Sequence, residues 1–209
     1  MSGLSASQLT CIKRDRVLFK ALSLQVSKGD LLYLRGPNGA GKTSLLRILT
    51  GLSLPEEGDV VFDGVSIFSS HSNYTEKLVY LGHKSALNPA LSAVENLHFW
   101  AAQHRVSIKT ANLYEVLDTL GLVGLEEVPV KFLSAGQQRR VALSRLWLKT
   151  AELWVLDEPF TALDVEGVSL LEKLFANHCA AGGMIITTSH QALSSMAGKY
   201  RTYDLEYNL

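Results

Sequence analysis

The 209-residue chain has few cysteines, few prolines and no excess of either charge. Neither Cys11 nor Cys179 has a second cysteine nearby in the sequence that would complete a metal-binding or redox motif, so both are expected to be buried, reduced thiols. Lysine and arginine together number 20, as do aspartate and glutamate, which gives a formal net charge of zero. A protein that binds nucleic-acid phosphates normally carries a large excess of positive charge. The neutral composition therefore disfavours a nucleic-acid-binding function.

Long apolar runs and targeting segments are also missing. No stretch of the sequence reaches the ~18 apolar residues that a membrane-spanning helix needs. The N-terminus has no basic segment followed by an apolar one, so a secretory signal is not expected. Hydrophobic residues nevertheless make up 47% of the chain and charged residues 19%, with a mean hydropathy of +0.12. This composition excludes a disordered chain and predicts one compact domain.

The sequence does contain an alternation of short apolar runs and helical patterns. Runs typical of buried parallel strands occur at 31–34, 77–81, 153–156 and 184–188. Apolar residues recur at helical spacing in 42–49 and through 88–122. Asp63 and Gly64 lie between two apolar segments and predict a two-residue hairpin turn. Strands that alternate with helices predict an α/β fold.

Residues 36–43 match the pattern G-x-x-x-x-G-K-[ST], which is typical of a loop that binds nucleotide phosphates. Glycines let backbone N–H groups turn inward, and the helix that follows adds a partial positive charge. Lys42 is predicted to reach the β- and γ-phosphates, and the Thr43 hydroxyl is predicted to hold Mg²⁺. The predicted contacts come from one segment: Gly36, Pro37, Asn38, Gly39, Ala40, Gly41, Lys42, Thr43 and Ser44.

Two carboxylates follow the predicted strand at 153–156. Asp157 and Glu158 stand where the strand ends, and the carboxyl ends of parallel strands form the edge at which ligands bind. Asp157 is predicted to act on Mg²⁺ and its waters. Glu158 is predicted to be the base, or orienting group, for a water that attacks the γ-phosphate. The two acids alone are equally consistent with a helix cap, but the phosphate-binding pattern upstream favours the catalytic interpretation.

The segment Leu-Ser-Ala-Gly-Gln at 133–137 precedes another helical pattern. Ser134 is a preferred helix N-cap, and the N–H groups behind it can bind an anion. Because residues 36–43 already account for one phosphate site, this segment is predicted to serve a different anion.

These motifs together resemble the ATPase subunits of ABC transporters. They are, in chain order, 36–43, 133–137, 157–158, 162–164 and His190. The resemblance implies a P-loop NTPase fold of the ABC type, with a mostly parallel sheet core, an antiparallel β subdomain and a small helical subdomain. It implies a single domain over 1–209, with the helical subdomain inserted at about 84–140. ATP and Mg²⁺ are the implied cofactors.

The resemblance also implies roles for individual residues. Ser134, Gly136 and Gln137 would contact ATP held by a second copy in a head-to-tail dimer, although Ala135 stands where the family usually has glycine. His190 would contact the γ-phosphate and hold the attacking water. The expected catalytic residues are therefore Lys42, Glu158 and His190.

Two further positions depart from the family pattern. His83 stands where a glutamine usually ligates Mg²⁺, and an imidazole nitrogen is a softer ligand than an amide oxygen. His83 is therefore expected either to bind the ion, with slow hydrolysis, or to act through a water. Arg14 lies where an aromatic ring usually stacks on adenine; its planar guanidinium can stack too, and GTP becomes an alternative nucleotide. The expected metal ligands are Thr43, Asp157 and His83.

Within the family, residues 133–164 most resemble the ATP-binding subunits of bacterial cytochrome c maturation haem exporters, as do 82–83 and 145–148. The resemblance implies an ATPase that is peripheral to the inner membrane, on its cytoplasmic face, and bound to an integral membrane subunit. Haem would be handled by partners, because the chain lacks C-x-x-C-H. The isolated pair His178 and Cys179 is interpreted as structural.

The helical insertion after His83 is expected to carry the surface that contacts the membrane subunit. Phe99 or Trp100 would lie beside a groove near His83, unless both rings pack inside the helical subdomain. Two alternatives to an ATPase for haem delivery stay open. One is a nucleotide-gated scaffold with little turnover, and the other is the ATPase of another small ABC exporter. A nucleic-acid-associated ABC ATPase is disfavoured by the zero net charge.

Overall fold

The structure is a computed structural model that describes residues 2–206. The strands are β1 (Gly3–Lys13), β2 (Arg16–Ser27), β3 (Leu31–Arg35), β4 (Glu57–Phe62), β5 (Val65–Ser66), β6 (Leu78–Leu81), β7 (Leu153–Leu156), β8 (Met184–Thr188) and β9 (Arg201–Asp204). The α-helices are α1 (Lys42–Leu49), α2 (His71–Glu76), α3 (Ala93–Gln103), α4 (Thr110–Thr119), α5 (Ala135–Leu143), α6 (Arg145–Leu148) and α7 (Val165–Ala180). Within residues 2–206, no helix is long and apolar enough to cross a membrane.

The strands form two sheets. One is antiparallel, with the order β2-β1-β4-β5, and the other is parallel, with the order β6-β7-β8-β3-β9. The strands of the second sheet all run in the same direction, so their C-terminal ends lie along one edge. The loops after β3, β6, β7 and β8 leave the sheet at this edge. The expected α/β architecture with a parallel core is confirmed.

Most of the predicted elements are confirmed. Strands occupy the positions expected at 31–34, 153–156 and 184–188. Asp63 and Gly64 form the expected hairpin turn, and both have positive φ (51° and 86°), as a tight two-residue turn of this kind requires. The helix predicted at 42–49 is α1.

Three elements differ from the sequence expectations. The helical pattern at 88–122 is broken into α3 and α4 by residues 104–109. The strand expected from Lys77 begins one residue later, because Lys77 is the C-cap of α2. The long strands β1 and β2 have no counterpart among the predicted strands, since register shifts interrupt their alternation of apolar and polar residues.

The parallel sheet is buried on both faces, which explains its continuous apolar runs. Along β3, Leu32 and Leu34 point into a cluster shared with α1 and the antiparallel sheet. Leu31 and Tyr33, which alternate with them, point into a second cluster shared with α7. The two clusters therefore hold α1 and α7 on opposite faces of the sheet.

A third apolar cluster joins α3, α4 and α5. Trp100 belongs to this cluster and is 8% exposed, so it packs inside rather than facing a partner groove. The neighbouring Phe99 is 61% exposed. Of the two aromatic residues expected near a partner, only Phe99 has its ring on the surface.

The two cysteines are free, and both are partly buried, whereas buried thiols were expected. Burial raises the pKa of the Cys179 thiol to about 11, so this thiol stays protonated and unreactive at neutral pH. The adjacent His178 stacks on Trp154, with ring centroids 3.7 Å apart and planes 7° from parallel. These contacts agree with a structural role for the pair.

Acid should destabilise the fold through His178. Burial lowers the pKa of its imidazole from 6.5 to about 4, so the unfolded chain binds a proton at a higher pH than the folded chain. The free energy of unfolding should therefore fall as the pH drops through this interval. Urea unfolding at about pH 7 and about pH 5 measures the effect, with His178→Phe as the comparison because phenylalanine keeps the stacking but cannot titrate. An identical pH dependence in both chains would contradict this assignment.

Candidate active site

The loop between β3 and α1 has the form of a phosphate cradle. Lys42 Nζ donates to the carbonyl oxygens of Gly36 (2.6 Å) and Pro37 (3.1 Å), so the side chain lies back across the loop. An ammonium group has three donors, and one is therefore left for a ligand. The first turn of α1 contains no acidic residue and its N-cap, Gly41, has no capping side chain. The positive end of this helix is thus turned toward the loop without a competing anion from the same turn.

Two of the loop glycines are required by close contacts. Gly36 has a φ of 146°, and a Cβ there would lie 2.3 Å from the carbonyl oxygen of Leu205. Gly41 has a φ of 101°, and a Cβ would lie 3.1 Å from Cβ of Leu18. Larger residues would therefore push the loop away from the segment after β9 and from β2, which together set its shape.

Asp157 directly follows β7 and is 2% exposed. Its Oδ2 accepts a hydrogen bond from Thr43 Oγ1, and its Oδ1 accepts one from Thr188 Oγ1, each at 2.8 Å. A buried carboxylate is costly unless its oxygens are paired, and here each oxygen has a hydroxyl donor. The carboxylate therefore ties the start of α1 to the end of β8.

Glu158 lies beside Asp157 with its backbone in the left-handed region, at a φ of 52°. Its N–H donates to Thr188 Oγ1 at 2.8 Å. Its carboxylate lies between two imidazoles, with Oε1 2.9 Å from His190 Nε2 and Oε2 3.5 Å from His83 Nδ1. The structure thus brings the predicted base together with both histidines that the sequence singled out.

The loop that carries His190 is fixed from β3. The Tyr33 hydroxyl is 2.9 Å from the carbonyl oxygen of Ser189 and 3.1 Å from that of Gln191, so it bonds on both sides of the histidine.

The site residues that sequence reasoning missed are Tyr33, Thr188 and Arg139. Thr188, a polar residue at the end of an apolar strand, carries a sequence signal; Tyr33 and Arg139 look like ordinary core and helix residues.

The segment 133–137 forms the predicted helix start. Ser134 Oγ accepts from the Gln137 N–H at 3.2 Å, and Gln137 Oε1 accepts from the Ser134 N–H at 2.8 Å, which is a complete capping box. A Cβ on Gly136 would lie 2.7 Å from the carbonyl oxygen of Ala162, so the helix start packs closely on the loop after Glu158. Ala135, which stands where the family usually has glycine, is exposed.

Asp164 ends that loop and caps α7 by accepting from the Gly167 N–H at 2.8 Å. Its carboxylate also accepts from Arg140 Nη2 at 2.6 Å. These two donors hold the pKa of the Asp164 carboxyl below its usual value.

Arg14 lies apart from these contacts, exposed at the turn between β1 and β2.

Comparison with known proteins assigns this arrangement to a family. Residues 19–161 match the family model described as ABC transporter. The cytochrome c biogenesis ATP-binding export protein CcmA of Idiomarina loihiensis is 50% identical over 204 residues, which cover 98% of this chain and 93% of that protein. The protein of the same name from Escherichia coli K12 is 46% identical, over 98% of this chain and 97% of that protein.

Solved structures share the fold over nearly the whole chain. A putative ABC transporter ATP-binding protein from Pyrococcus furiosus has a TM-score of 0.82 at 25% identity, covering 98% of both chains. An ATP-binding cassette in a dimeric post-hydrolysis state, bound to ADP and Pi, has a TM-score of 0.82 at 23% identity, covering 99% of this chain and 97% of that chain. The chain therefore belongs to the ABC transporter family and, within it, to the cytochrome c biogenesis ATP-binding export proteins.

Proposed function

We propose that the chain is the ATP-hydrolysing subunit of a membrane complex that delivers or exports haem during the biogenesis of c-type cytochromes. The names of the relatives state ATP binding, export and cytochrome c biogenesis. The observation that carries the chemistry is the Glu158 carboxylate, which lies within 2.9 Å of His190 and directly follows the Asp157 that is bonded to the phosphate loop. A phosphate cradle, a base and a group that orients water are the parts that ATP hydrolysis needs.

In the proposed reaction, backbone N–H groups of the loop and the remaining donor of Lys42 bind the phosphates. A water beside Glu158 attacks the γ-phosphorus as the bond from phosphorus to the ADP oxygen breaks. The water's proton goes to the Glu158 carboxylate, while His190 orients the water and the γ-phosphate. Asp157 keeps both oxygens in bonds to Thr43 and Thr188, so it acts on the site without touching the nucleotide.

Mg²⁺ is the proposed second cofactor, and it would neutralise the charge of the β- and γ-phosphates. Thr43 fits this ion, because its hydroxyl hydrogen is used by Asp157 and its oxygen lone pairs face away from that bond. Within residues 2–206, no cluster of three or more His, Cys, Asp or Glu side chains is arranged to hold a metal by itself. Mg²⁺ does not need one, since it is commonly held by one or two protein groups with phosphates and waters. His83 remains a predicted ligand; its ring nitrogen is directed to Glu158.

The proposed assembly contains a second copy of the chain and an integral membrane subunit, at the cytoplasmic face of the bacterial inner membrane. The head-to-tail arrangement would bring Ser134, Gly136 and Gln137 to the ATP held by the other copy. The capping box supports this, because it uses the N–H groups of Ser134 and Gln137 and leaves those of Ala135 and Gly136 at the positive helix end. The exposed ring of Phe99 supports the helical insertion as the surface for the membrane subunit.

Replacing Glu158 by glutamine should separate a motor from a nucleotide-gated scaffold. The chain, purified with its membrane subunit from detergent-solubilised membranes, should hydrolyse ATP. Glu158→Gln should lower the rate about 100-fold or more while ATP remains bound, because the amide cannot accept the proton. Phosphate release and retained radiolabelled ATP measure the two effects. Hydrolysis at the parent rate by Glu158→Gln would contradict the base assignment, and absence of turnover in the parent complex would favour the scaffold.

Thr43 provides the test for Mg²⁺. Thr43→Val removes the hydroxyl at nearly constant volume, whereas Thr43→Ser keeps it and serves as the matched control. The Mg²⁺ concentration for half-maximal hydrolysis should rise about tenfold or more in Thr43→Val and stay near the parent value in Thr43→Ser. A metal dependence that is the same in all three chains would contradict a role for Thr43 in holding the ion.

A further inference from the structure

A buried arginine on α5 connects two loops of the active site. Arg139 is 5% exposed, and its guanidinium is surrounded by backbone carbonyl oxygens. Its donors bond to Pro159 (Nε, 3.2 Å), Gly82 and His83 (Nη1, 3.3 and 3.5 Å), and Asp157 and Glu158 (Nη2, 3.1 and 2.7 Å). Burial lowers the pKa of Arg139, whereas the nearby charges of Asp157 and Glu158 raise it.

The planar guanidinium matches this set of acceptors. It presents five N–H donors in a fixed fork, and lysine would offer three donors from one point. The carbonyls come from the loops that directly follow the neighbouring strands β6 and β7, and these loops carry His83 and Glu158. One side chain therefore fixes the spacing between the two loops that place an imidazole beside the carboxylate.

The Glu158 backbone needs such support. A non-glycine residue keeps a positive φ only when its surroundings hold it there. Its N–H is held by Thr188 Oγ1, and its carbonyl oxygen receives the shortest bond from Arg139, at 2.7 Å. Loss of the guanidinium would free the carbonyl side of the peptide, and the carboxylate would lose its fixed direction.

We propose that Arg139 is a positioning residue for hydrolysis. It holds Glu158 and His83 in place. Because Ser134 is the N-cap of α5, Arg139 also links the segment expected to contact the second copy's ATP with the Glu158 carboxylate of the same chain. This inference rests on the proposed ATPase function. Arg139 itself is directed to carbonyl oxygens and touches no group that reacts.

Arg145 offers a matched control. It is also 5% exposed, and its guanidinium donates to the carbonyl oxygens of Ser85 (3.1 Å) and Ala86 (3.0 Å). Among the described hydrogen bonds it has none to residues 157–159. Arg139→Lys and Arg145→Lys therefore make the same chemical change at equal burial, but only the first alters the support of Glu158.

Hydrogen exchange followed by mass spectrometry tests the positioning independently of turnover. In the purified chain, Arg139→Lys should speed exchange in peptides that cover 157–163 and 82–86, and leave the phosphate loop at 36–44 unchanged. Arg145→Lys should speed exchange near 84–88 only. Unchanged exchange in 157–163 of Arg139→Lys would overturn the proposal, whether or not the protein hydrolyses ATP.

Steady-state kinetics of the complex with the membrane subunit supply the second readout. Arg139→Lys should lower kcat about 10- to 100-fold with little change in KM for ATP, because a misplaced base slows the chemical step and leaves binding intact. Arg145→Lys should stay close to the parent kcat. Normal kcat in Arg139→Lys despite faster exchange would reduce Arg139 to a structural role and overturn the proposal. A parent complex without hydrolysis would instead refute the ATPase function, and the positioning role with it.

Discussion

The carboxylate of Asp157 is buried at the end of β7, and each of its oxygens accepts a hydrogen bond from a threonine hydroxyl. An unpaired carboxylate at this depth would be strongly unfavourable, so both hydroxyls have to stay in place. One of them belongs to Thr43 at the start of α1 and the other to Thr188 at the end of β8. The position of the phosphate loop relative to Glu158 therefore depends on this pair of bonds.

The order of the parallel sheet explains why these residues meet. β8 lies between β7 and β3, so its last residue, Thr188, stands between Asp157 and the loop that follows β3. β6 lies on the other side of β7 and brings His83 to Glu158. Residues from four distant parts of the chain thus share one edge because parallel strands all end there.

Much of this site is predictable from the sequence, because its parts are local. The phosphate loop, the carboxylates after β7 and the capping box at Ser134 each depend on neighbours within a few residues. The role of Arg139 is not predictable in the same way, since the carbonyl groups around it come from segments far away in the chain. The bulged strands β1 and β2 are not predictable from the sequence for a related reason. Cross-strand pairing, and not a strict alternation of apolar and polar residues, decides their register.

The most direct measurement of the central role of Asp157 uses Thr188, which meets no nucleotide in the proposed reaction. Thr188→Val removes the hydroxyl that bonds both Asp157 and the Glu158 N–H, and Thr188→Ser retains it. The hydrolysis rate of the complex should fall about tenfold or more in Thr188→Val, with KM for ATP nearly unchanged, and remain near the parent rate in Thr188→Ser. Equal kcat values in the parent chain and in a folded Thr188→Val chain would contradict the dependence of the site on this buried carboxylate.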